Sequence, residues 1–423
     1  MKVLVVGNGA REHALAAKLA ASPGVDEVLA APGNAGTARV GKNLALAATD
    51  VRGIVEAARS QGAGLVVVGP EAPLAAGMVD ALREAGVPAF GPTLAAACLE
   101  SSKAFAKDFM KRHGIPTAAY GAFDDAEAAI AFVRERGEPM VVKADGLAAG
   151  KGVVVASSVE QSVEAIRAIM IGREHGEAGA RVVVEELLRG PEISYHVVSD
   201  GERYVPLAAA QDHKRLLDGG PGPEHGRDGR LLAAAHGYAR GRARHPRAGR
   251  RAHPGRHAQR GRAVLGALFV GLMLVGGEPR VLEYNVRFGD PETEVLVARW
   301  DGDVLPLLLG SARGDLRGVT PRWGAPAALC VVMASAGYPA SSEKGRPIEG
   351  IEAASALEGV AVYEAGTAID GGRTVTSGGR VLAVTATGAD VDEAARRAYA
   401  GVARVRFEGA QHRSDIGWQA RSR

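Results

Sequence analysis

Four short apolar runs in the first 100 residues constrain the fold of this chain more than any other feature. They read VLVVG at 3–7, VLAA at 28–31, LVVVG at 65–69 and VPAF at 87–90. Each is followed by glycine, proline or asparagine and then by an alanine-rich stretch. Continuous apolar strands that alternate with helices form parallel sheets covered on both faces. The sequence therefore predicts a doubly wound α/β domain.

The rest of the chain predicts two further α+β regions. Strand patterns recur at MVVKA (140–144), GVVVA (152–156) and RVVVEEL (181–187). After about residue 320 a separate unit carries ALCVVMAS, GVAVYEAG and RVLAVTAT, followed by a helical stretch at 391–405. We therefore divide the chain into an N-terminal domain at 1–101, a central domain at 102–320 with a subdomain at about 121–188, and a small C-terminal domain at 321–423.

Composition excludes several classes of protein. The 423 residues are 47% hydrophobic and 23% charged, and no apolar run approaches the roughly 18 to 20 residues of a membrane span. The first strand leads straight into a glycine-rich turn, which leaves no room for a signal peptide. Cys98 and Cys330 lie far apart in apolar or small-residue contexts, as buried thiols do in a reducing compartment. We expect a cytoplasmic protein without a membrane partner.

An arginine-rich segment at 219–263 departs from these patterns. It contains eleven Arg, five His and only two acidic residues, a formal charge of +9 in a chain whose net charge is +3. It has no apolar periodicity and predicts a loop or disorder. A nucleic-acid-binding arm is one interpretation, but Tyr238 is its only aromatic residue and the remaining chain is mildly acidic. We therefore expect no nucleic-acid partner.

The first turn, GNGAREH at 7–13, connects the first strand to a helix. Backbone N–H groups at a helix N-terminus favour an anion. A dinucleotide fingerprint would have a third glycine where Glu12 stands, and no acidic residue clearly follows the second strand. The alternatives are a phosphate-bearing substrate, a dinucleotide and a merely tight turn. Turns at 32–37 and 69–74 fall at the same sheet edge, where ligands bind in such domains.

A second motif surrounds Lys143, which ends a strand. The loop at 146–152, GLAAGKG, joins that strand to the next. Glycines allow backbone amides to approach a phosphate, while Lys143 and Lys151 supply positive charge. Lys151 is followed by glycine and a strand, so this is not a Walker loop. A hairpin with a flexible tip is the alternative.

Acidic residues follow the next strands. Glu185 and Glu186 end a strand, and Glu192 follows Gly190 and Pro191. A strand edge offers main-chain groups to an adenine, and a carboxylate suits ribose hydroxyl groups. Simple solvation of these acids is the alternative.

The third motif is EYNVRFGDPETE at 283–294. Glu283 and Asn285 alternate along a strand and therefore point to one face, where their oxygen atoms suit Mg²⁺. Arg287, Asp290 and Glu292 crowd the turn that follows. A purely structural turn seldom needs so many charges, and this motif predicts a functional site.

Together these residues resemble the ATP-grasp enzymes, and within them the phosphoribosylamine–glycine ligase family. The resemblance covers roughly 1–218 and 264–423. It rests on the strings GNGAREH, PGNAGT, GPEAPL, SKAFAKDFM, KADGLAAGKGV, QDHKR, RFGDPETE, GGRVL and HRSDIG.

The resemblance implies a fold and a site. The fold would have an N-terminal doubly wound domain, a central ATP-grasp core of two α+β subdomains with a lid at about 121–188, and a C-terminal α+β domain. ATP would be bound by Lys103, Lys143, Gly146, Gly150, Lys151, Gly152, Glu185, Glu186 and Glu192, and Mg²⁺ or Mn²⁺ by Glu283 and Asn285. Substrates would be bound by Gly9, Arg11, Glu12, Asn34, Glu71, Pro73, Asp212, Lys214, Arg287, Asp290 and Glu292, with Arg287, Asp290 and Lys143 in catalytic roles.

The implied reaction is an ATP-dependent ligation in purine synthesis. A carboxylate is a poor acyl donor, so ATP would convert glycine into glycyl phosphate, which the amine of 5-phosphoribosylamine then attacks. The protein would contribute position and charge neutralisation. The expected partners are these small molecules, and the expected assembly is a monomer or a dimer.

The arginine-rich segment is the large departure from the family, which places a loop close to GPNTGGMGAYSP near the substrates. One coding string for that pattern, read in another frame, gives PEHGRDGRLLA, the sequence at 223–233. We interpret the segment as a frame offset that begins near 219–220 and ends near 264–266, arising from a sequencing error or a real double insertion and deletion. If it is real, substrate orientation would suffer. The alternatives are thus an ATP-binding member impaired in catalysis, another ATP-grasp carboxylate–amine ligase, and, less favoured, a dinucleotide oxidoreductase.

Overall fold

The computed structural model describes residues 1–148, 151–212, 229–232 and 263–421; for residues 212, 229–232, 419 and 421 it describes the backbone alone. Within these residues, no helix combines the length and the apolar character that a membrane span requires.

The N-terminal region forms the predicted doubly wound domain. Its five strands are all parallel, in the order β3-β2-β1-β4-β5. They are β1 (Lys2–Gly7), β2 (Glu27–Pro32), β3 (Lys42–Asn43), β4 (Ala63–Val68) and β5 (Ala89–Phe90). The helices are α1 (Ala10–Ala20), α2 (Thr37–Val40), α3 (Val51–Ser60), α4 (Glu71–Ala75), α5 (Met78–Glu84) and α6 (Leu94–Ser101). Val3 to Val6 of β1 are fully buried, as expected of a central strand covered on both faces.

A four-stranded antiparallel sheet forms the smaller part of the central region. Helix α7 (Lys103–Arg112) precedes it, and its strand order is β6-β9-β7-β8. The strands are β6 (Tyr120–Phe123), β7 (Met140–Ala144), β8 (Val153–Val155) and β9 (Val182–Glu186). They are covered by α8 (Ala126–Arg136) and α9 (Val159–Ile166), whose first turns are capped by the side chains of Asp125 and Ser158. A π-helical turn (Arg167–Ile171) and a 3₁₀ turn (Gly176–Gly179) lead to β9.

A second antiparallel sheet, in the order β11-β10-β14-β15, completes the central region. Its strands are β10 (Glu192–Asp200), β11 (Tyr204–Pro206), β14 (Leu265–Val275) and β15 (Glu278–Asn285). The helices α10 (Glu292–Arg299) and α11 (Leu305–Arg313) follow, with the short strands β16 (Trp300–Asp301) and β17 (Arg322–Trp323) paired to each other. Val295 of α10 shares one apolar core with Leu15 of α1 and with Val332 of the C-terminal sheet.

The C-terminal sheet has the order β12-β13-β18-β22-β19. Its strands are β12 (Gln211–Asp212), β13 (Gly229–Leu232), β18 (Ala327–Ala334), β19 (Val360–Glu364) and β22 (Arg380–Gly388), and a hairpin is formed by β20 (Thr367–Asp370) and β21 (Arg373–Thr376). The helices are α12 (Ile351–Ser355), α13 (Val391–Val402) and α14 (Trp418–Arg421). The three-region α/β architecture is therefore as predicted, while the boundaries at 101/102 and 320/321 stay predictions.

One expectation is wrong for four residues of the arginine-rich segment. We expected no regular structure between 219 and 263, but β13 pairs antiparallel with β12 and with β18. A strand that is paired on both sides is held by main-chain hydrogen bonds, which require no apolar side-chain pattern. The other residues of the segment, apart from Ala263, lie outside those that the structure describes.

Candidate active site

A cleft of about 410 Å³ lies where the N-terminal domain meets both central sheets, a volume typical of small-molecule sites. Two groups of charged and polar side chains line it. The first contains Lys103, Lys107, Lys143, Glu185, Glu283 and Asn285, and the second contains Arg11, Glu12, Glu71, Glu100, Arg287, Asp290 and Arg380.

Three lysines and one glutamate form the centre of the first group. Lys143 Nζ lies 2.8 Å from Glu185 Oε1, and Lys107 Nζ lies 2.7 Å from Glu185 Oε2. Lys103 Nζ donates to the carbonyl oxygen of Gly146 at 3.1 Å. Burial lowers the pKa of Lys103, and it lowers that of Lys107 to about 8. The three lysines form a cationic surface suited to a polyanion. Lys107 was not among the predicted site residues.

Helix α7 places Lys103 and Lys107 on one face, four residues apart. The Ser102 side chain caps the helix by accepting from the backbone N–H of Phe105 at 3.1 Å. The Asp145 carboxylate accepts from the Ala104 N–H at 2.7 Å and from the Ser102 hydroxyl group at 3.1 Å. The end of the helix that carries Lys103 is therefore fixed to the start of the glycine-rich loop.

The glycine-rich loop is packed tightly where the structure describes it. A Cβ on Gly146 would lie 2.8 Å from Ala178 Cα, and one on Gly152 would lie 2.6 Å from Ala148 Cβ. Close packing therefore explains why both positions are glycine, independently of any approach to phosphate. Gly150 lies outside the described residues. Lys151 is exposed and its Nζ donates to the carbonyl oxygen of Pro339 at 3.1 Å, so it does not line the cleft.

The predicted adenine and ribose acids differ in their placement. Glu185 is buried between two lysines. Glu186 accepts from the Ala119 N–H at 3.1 Å, and neither it nor Glu192 lines the cleft. Their binding roles stay predictions.

Glu283 and Asn285 lie side by side on β15, as their alternation predicts. Asn285 Nδ2 lies 3.4 Å from Glu283 Oε1, and Arg287 Nη2 donates to Asn285 Oδ1 at 3.0 Å. Their oxygen atoms are of the hard type that Mg²⁺ takes. No group of three or more His, Cys, Asp or Glu side chains suited to a metal occurs among the described residues. These two residues would fit a magnesium ion whose other ligands would come from phosphate and water, and their metal-binding role stays a prediction.

Arg287 connects β15 with the N-terminal domain. Its Nη2 lies 2.9 Å from Glu100 Oε1 and its Nε lies 3.4 Å from Glu71 Oε2. Glu100 also accepts from the Val286 N–H at 2.8 Å. Burial raises the pKa of Glu100, and the Arg287 guanidinium opposes that rise. Sequence reasoning missed Glu100, which ends α6 and has no motif of its own.

The turn after Arg287 is held from three sides. Arg380, at the start of β22, pairs with Asp290 at 3.0 Å and donates to its carbonyl oxygen at 3.2 Å. The Gly289 N–H donates to His196 Nε2 at 3.2 Å. Glu292 is fully buried in the first turn of α10, where a Cβ on Gly289 would lie 2.3 Å from its Cδ. Glu292 therefore does not line the cleft, whereas Asp290 and the unpredicted Arg380 do.

Glu12 fills the space beside the first glycine-rich turn. Its Oε2 accepts from the Gly9 N–H at 2.7 Å, and its Oε1 is bonded to Arg11 Nε. Arg11 Nη1 also donates to the carbonyl oxygen of Phe288 at 3.0 Å. Because the carboxylate already occupies the turn, this geometry disfavours a dinucleotide pyrophosphate there. Gly9 lines the cleft, although its N–H donates to Glu12, and its substrate-binding role stays a prediction.

The remaining predicted residues lie away from the cleft or outside the described residues, and their binding roles stay predictions. The Asn34 amide donates to the carbonyl oxygen of Asn8 at 2.9 Å and to that of Glu364, which ties two loops of the N-terminal domain to the end of β19. Pro73 is buried in α4. Neither lines the cleft. The Asp212 side chain and Lys214 lie outside the described residues.

Comparison with known proteins gives one family along the chain. The phosphoribosylglycinamide synthetase N domain matches residues 1–100, its ATP-grasp (A) domain matches residues 101–293, and its C domain matches residues 328–419. The chain is 49% identical over 426 residues to the phosphoribosylamine–glycine ligase of Allochromatium vinosum, with 100% of this chain and 99% of that relative covered.

Solved structures agree with this match. The phosphoribosylamine–glycine ligase of Thermotoga maritima has a TM-score of 0.85 and 34% identity, covering 98% of this chain and 100% of that one. The biotin carboxylase domain of the Hydrogenobacter thermophilus 2-oxoglutarate carboxylase, in complex with MgADP and bicarbonate, has a TM-score of 0.72 and 18% identity, covering 97% and 91%. At that identity the likeness shows a shared fold.

Proposed function

The chain belongs to the phosphoribosylglycinamide synthetase family, and we propose that it joins glycine to 5-phosphoribosylamine with ATP, in purine biosynthesis. The observation that carries the proposal is the pairing of two charged groups in one cleft, in a chain that is 49% identical along its length to a phosphoribosylamine–glycine ligase. One group suits a nucleoside triphosphate, and the other suits an amino acid and an amine.

ATP would bind at the first group. Lys103 and Lys143 would contact its phosphates, since both ammonium groups line the cleft beside the glycine-rich loop. Glu283 and Asn285 would hold Mg²⁺, or Mn²⁺, in keeping with the general use of ATP and Mg²⁺ by the ATP-grasp fold. The ion supplies neutralisation of phosphate charge.

The second group would orient the other substrates. The positive charge of the Arg287 guanidinium suits the glycine carboxylate, and Glu71 and Glu100 fix its position. The carboxylate of Asp290 suits an amine, and its pairing with Arg380 fixes its position.

The proposed chemistry has two steps. A glycine carboxylate oxygen attacks the γ-phosphorus of ATP, the bond to the β,γ-bridging oxygen breaks, and ADP leaves. The amine of phosphoribosylamine then attacks the carbonyl carbon of glycyl phosphate, the C–O bond to phosphate breaks, and the amine loses a proton. Position and electrostatic stabilisation account for catalysis of this kind, and no covalent nucleophile of the chain takes part.

We also propose that the protein is a monomer or a dimer and that it acts in the cytoplasm. Neither Cys98 nor Cys330 forms a disulfide in the part of the chain that the structure describes.

The test is ADP release by the full chain with MgATP and freshly generated phosphoribosylamine, with and without glycine. We expect release that depends on both substrates, together with formation of glycinamide ribonucleotide. The D290N variant serves as the negative comparison and should turn over at least tenfold more slowly. ADP release that depends on another amino acid and not on glycine would instead show that the protein catalyses a different carboxylate–amine ligation.

MgATP binding without ADP release would support the alternative that this chain binds ATP but is impaired in catalysis. That alternative rests on the +9 charge of residues 219–263, and it is tested by the frame-restored variant described below.

A further inference from the structure

Lys107 is the most enclosed lysine of the cleft, and none of the roles above uses it. Its side chain is 2% exposed, yet it belongs to the cleft lining. It pairs with one oxygen of Glu185, while the other oxygen pairs with Lys143. One buried carboxylate thus lies between two ammonium groups.

A second contact connects Lys107 to the strand that carries the magnesium ligands. Its Nζ donates to Thr117 Oγ1 at 2.7 Å, and the Thr117 hydroxyl group donates to the carbonyl oxygen of Val281 at 2.6 Å. Val281 precedes Glu283 by two residues on β15. Lys107 therefore fixes α7, β9 and β15 relative to one another.

The charges in this cluster favour a role in nucleotide binding. In the cluster of Lys107, Lys143 and Glu185, two ammonium groups share one carboxylate, which leaves one net positive charge. Without Lys107, the Glu185 carboxylate would have Lys143 as its remaining lysine partner and would neutralise it. A triphosphate would then meet a cluster with no net charge, in a buried site where each charge counts strongly.

We propose that Lys107 is a nucleotide-positioning residue that neutralises Glu185 and so leaves the charge of Lys143 available to the ATP phosphates. This inference rests on the proposed ATP-dependent function. It predicts that neutralising Glu185 restores the MgATP affinity lost with Lys107, whereas a purely structural role predicts a change in the unfolding temperature alone.

The experiment measures MgATP binding to the full chain by calorimetry, with thermal unfolding of each variant. K107M should weaken MgATP binding at least tenfold, and K107M/E185Q should recover most of that loss, because the neutral glutamine no longer competes for Lys143. K111M is the matched control, since Lys111 is an exposed lysine one turn further along α7; it should bind as the unaltered chain does.

Either of two results would overturn the role of Lys107. One is an MgATP affinity of K107M equal to that of the unaltered chain, and the other is an MgATP affinity of the double variant no higher than that of K107M. If K107M does not fold, the double variant, which removes both charges of the Lys107–Glu185 pair, decides alone: affinity within threefold of the unaltered chain supports the role, and a tenfold loss refutes it. Absence of MgATP binding by the unaltered chain would overturn the proposed function as well.

Discussion

Three glycines surround the carboxylate of Glu12, and this arrangement explains their positions better than a bound phosphate does. A Cβ on Gly69 would lie 2.0 Å from Glu12 Oε1, and one on Gly7 or Gly9 would lie within 2.8 Å of the same side chain. Glu12 has no room to move, because it is 2% exposed and bonded to Gly9 and Arg11. The first turn and the β4 turn are thus shaped around one buried ion pair.

The G69A substitution should therefore destabilise the protein by about 1–3 kcal/mol, the usual cost of overpacking. Gly69 is not among the glycines with positive φ, so the cost would come from space and not from backbone strain. G324A is the matched control, because a Cβ on Gly324 meets its nearest atom at 3.7 Å. Equal urea midpoints for the two variants would contradict this interpretation.

The protonation of Lys107 should make nucleotide binding depend on pH. Burial and Lys143 lower its pKa to about 8, against the opposing effect of Glu185 and Glu283, while the Tyr120 ring lies 5.9 Å from its Nζ. A polyanion binds the protonated form better. MgATP affinity should thus fall as pH rises above 8, by up to about tenfold per unit, and binding near pH 8 should take up a proton.

Calorimetry in two buffers of different ionisation enthalpy measures that proton uptake. Burial also lowers the pKa of Lys103, so part of the uptake belongs to that lysine. The K107M/E185Q variant separates the contributions of Lys103 and Lys107 to the proton uptake. If this variant takes up as many protons as the unaltered chain, Lys107 does not change its protonation when MgATP binds.

Sequence reasoning found the cleft residues Lys143, Glu283 and Asn285, which lie at or near the ends of strands in antiparallel sheets. It assigned no role to Lys107 or Arg380, although both lie in strings that carry the family resemblance, SKAFAKDFM and GGRVL. The four-residue spacing from Lys103 could have pointed to Lys107, but Arg380 enters from another domain and only the tertiary fold brings it to Asp290.

At the scale of elements, Glu100 connects α6 to the end of β15. It holds both the Val286 N–H and the Arg287 guanidinium. In E100Q the side chain keeps one acceptor oxygen but loses its charge, so Arg287 loses a buried ion pair. We expect a loss of about 1–3 kcal/mol in stability and a rise of about tenfold in the KM for glycine, or ~1.4 kcal/mol, with the KM for ATP within twofold.

The E84Q variant is the control for that measurement, because Glu84 is an exposed glutamate at the end of α5 in the same domain. Steady-state kinetics with each substrate varied in turn separates the KM values. A rise in the KM for ATP as large as that for glycine would show that Glu100 supports the whole cleft and not Arg287 in particular.

Replacing the arginine-rich segment tests whether this part of the chain limits the rate of turnover. Resequencing the gene across codons 215–270 establishes the reading frame. In a variant whose residues 219–263 are replaced by the frame-restored sequence, we expect faster glycine-dependent ADP release, because the replacement restores the loop that the family resemblance implies near the substrates. Equal rates for the two chains would show that the segment does not limit catalysis.

Elements were predictable where side-chain pattern alone determines them. Buried parallel strands such as β1 and β4 are continuous apolar runs, which no other local structure explains as well. The two-residue strand β3 is polar, and β13 lies in a basic stretch. Both exist through main-chain pairing with a neighbouring strand, and a single sequence carries no signal for such pairing.

At the scale of the whole molecule, the cleft requires three regions to be packed together. Glu71 and Glu100 come from the N-terminal domain, Arg287 and Asp290 follow the second central sheet, and Arg380 comes from the C-terminal sheet. The shared core of α1, α10 and β18 holds these regions in contact. A ligand that bridges the cleft should therefore stabilise the molecule as a whole.

MgATP should raise the thermal unfolding temperature of the full chain, and NADH should not. A ligand that binds only the folded state adds RT ln(1 + [L]/Kd) to stability, which is about 2.7 kcal/mol at one hundred times Kd. NADH should fail because Glu12 occupies the turn where its pyrophosphate would bind. ATP without Mg²⁺ should stabilise less, since Glu283 would then face the triphosphate without an intervening cation. Stabilisation by NADH and not by MgATP would instead favour the dinucleotide interpretation. If the Glu283 carboxylate holds the ion, E283Q should reduce the difference in unfolding temperature between ATP with Mg²⁺ and ATP without it.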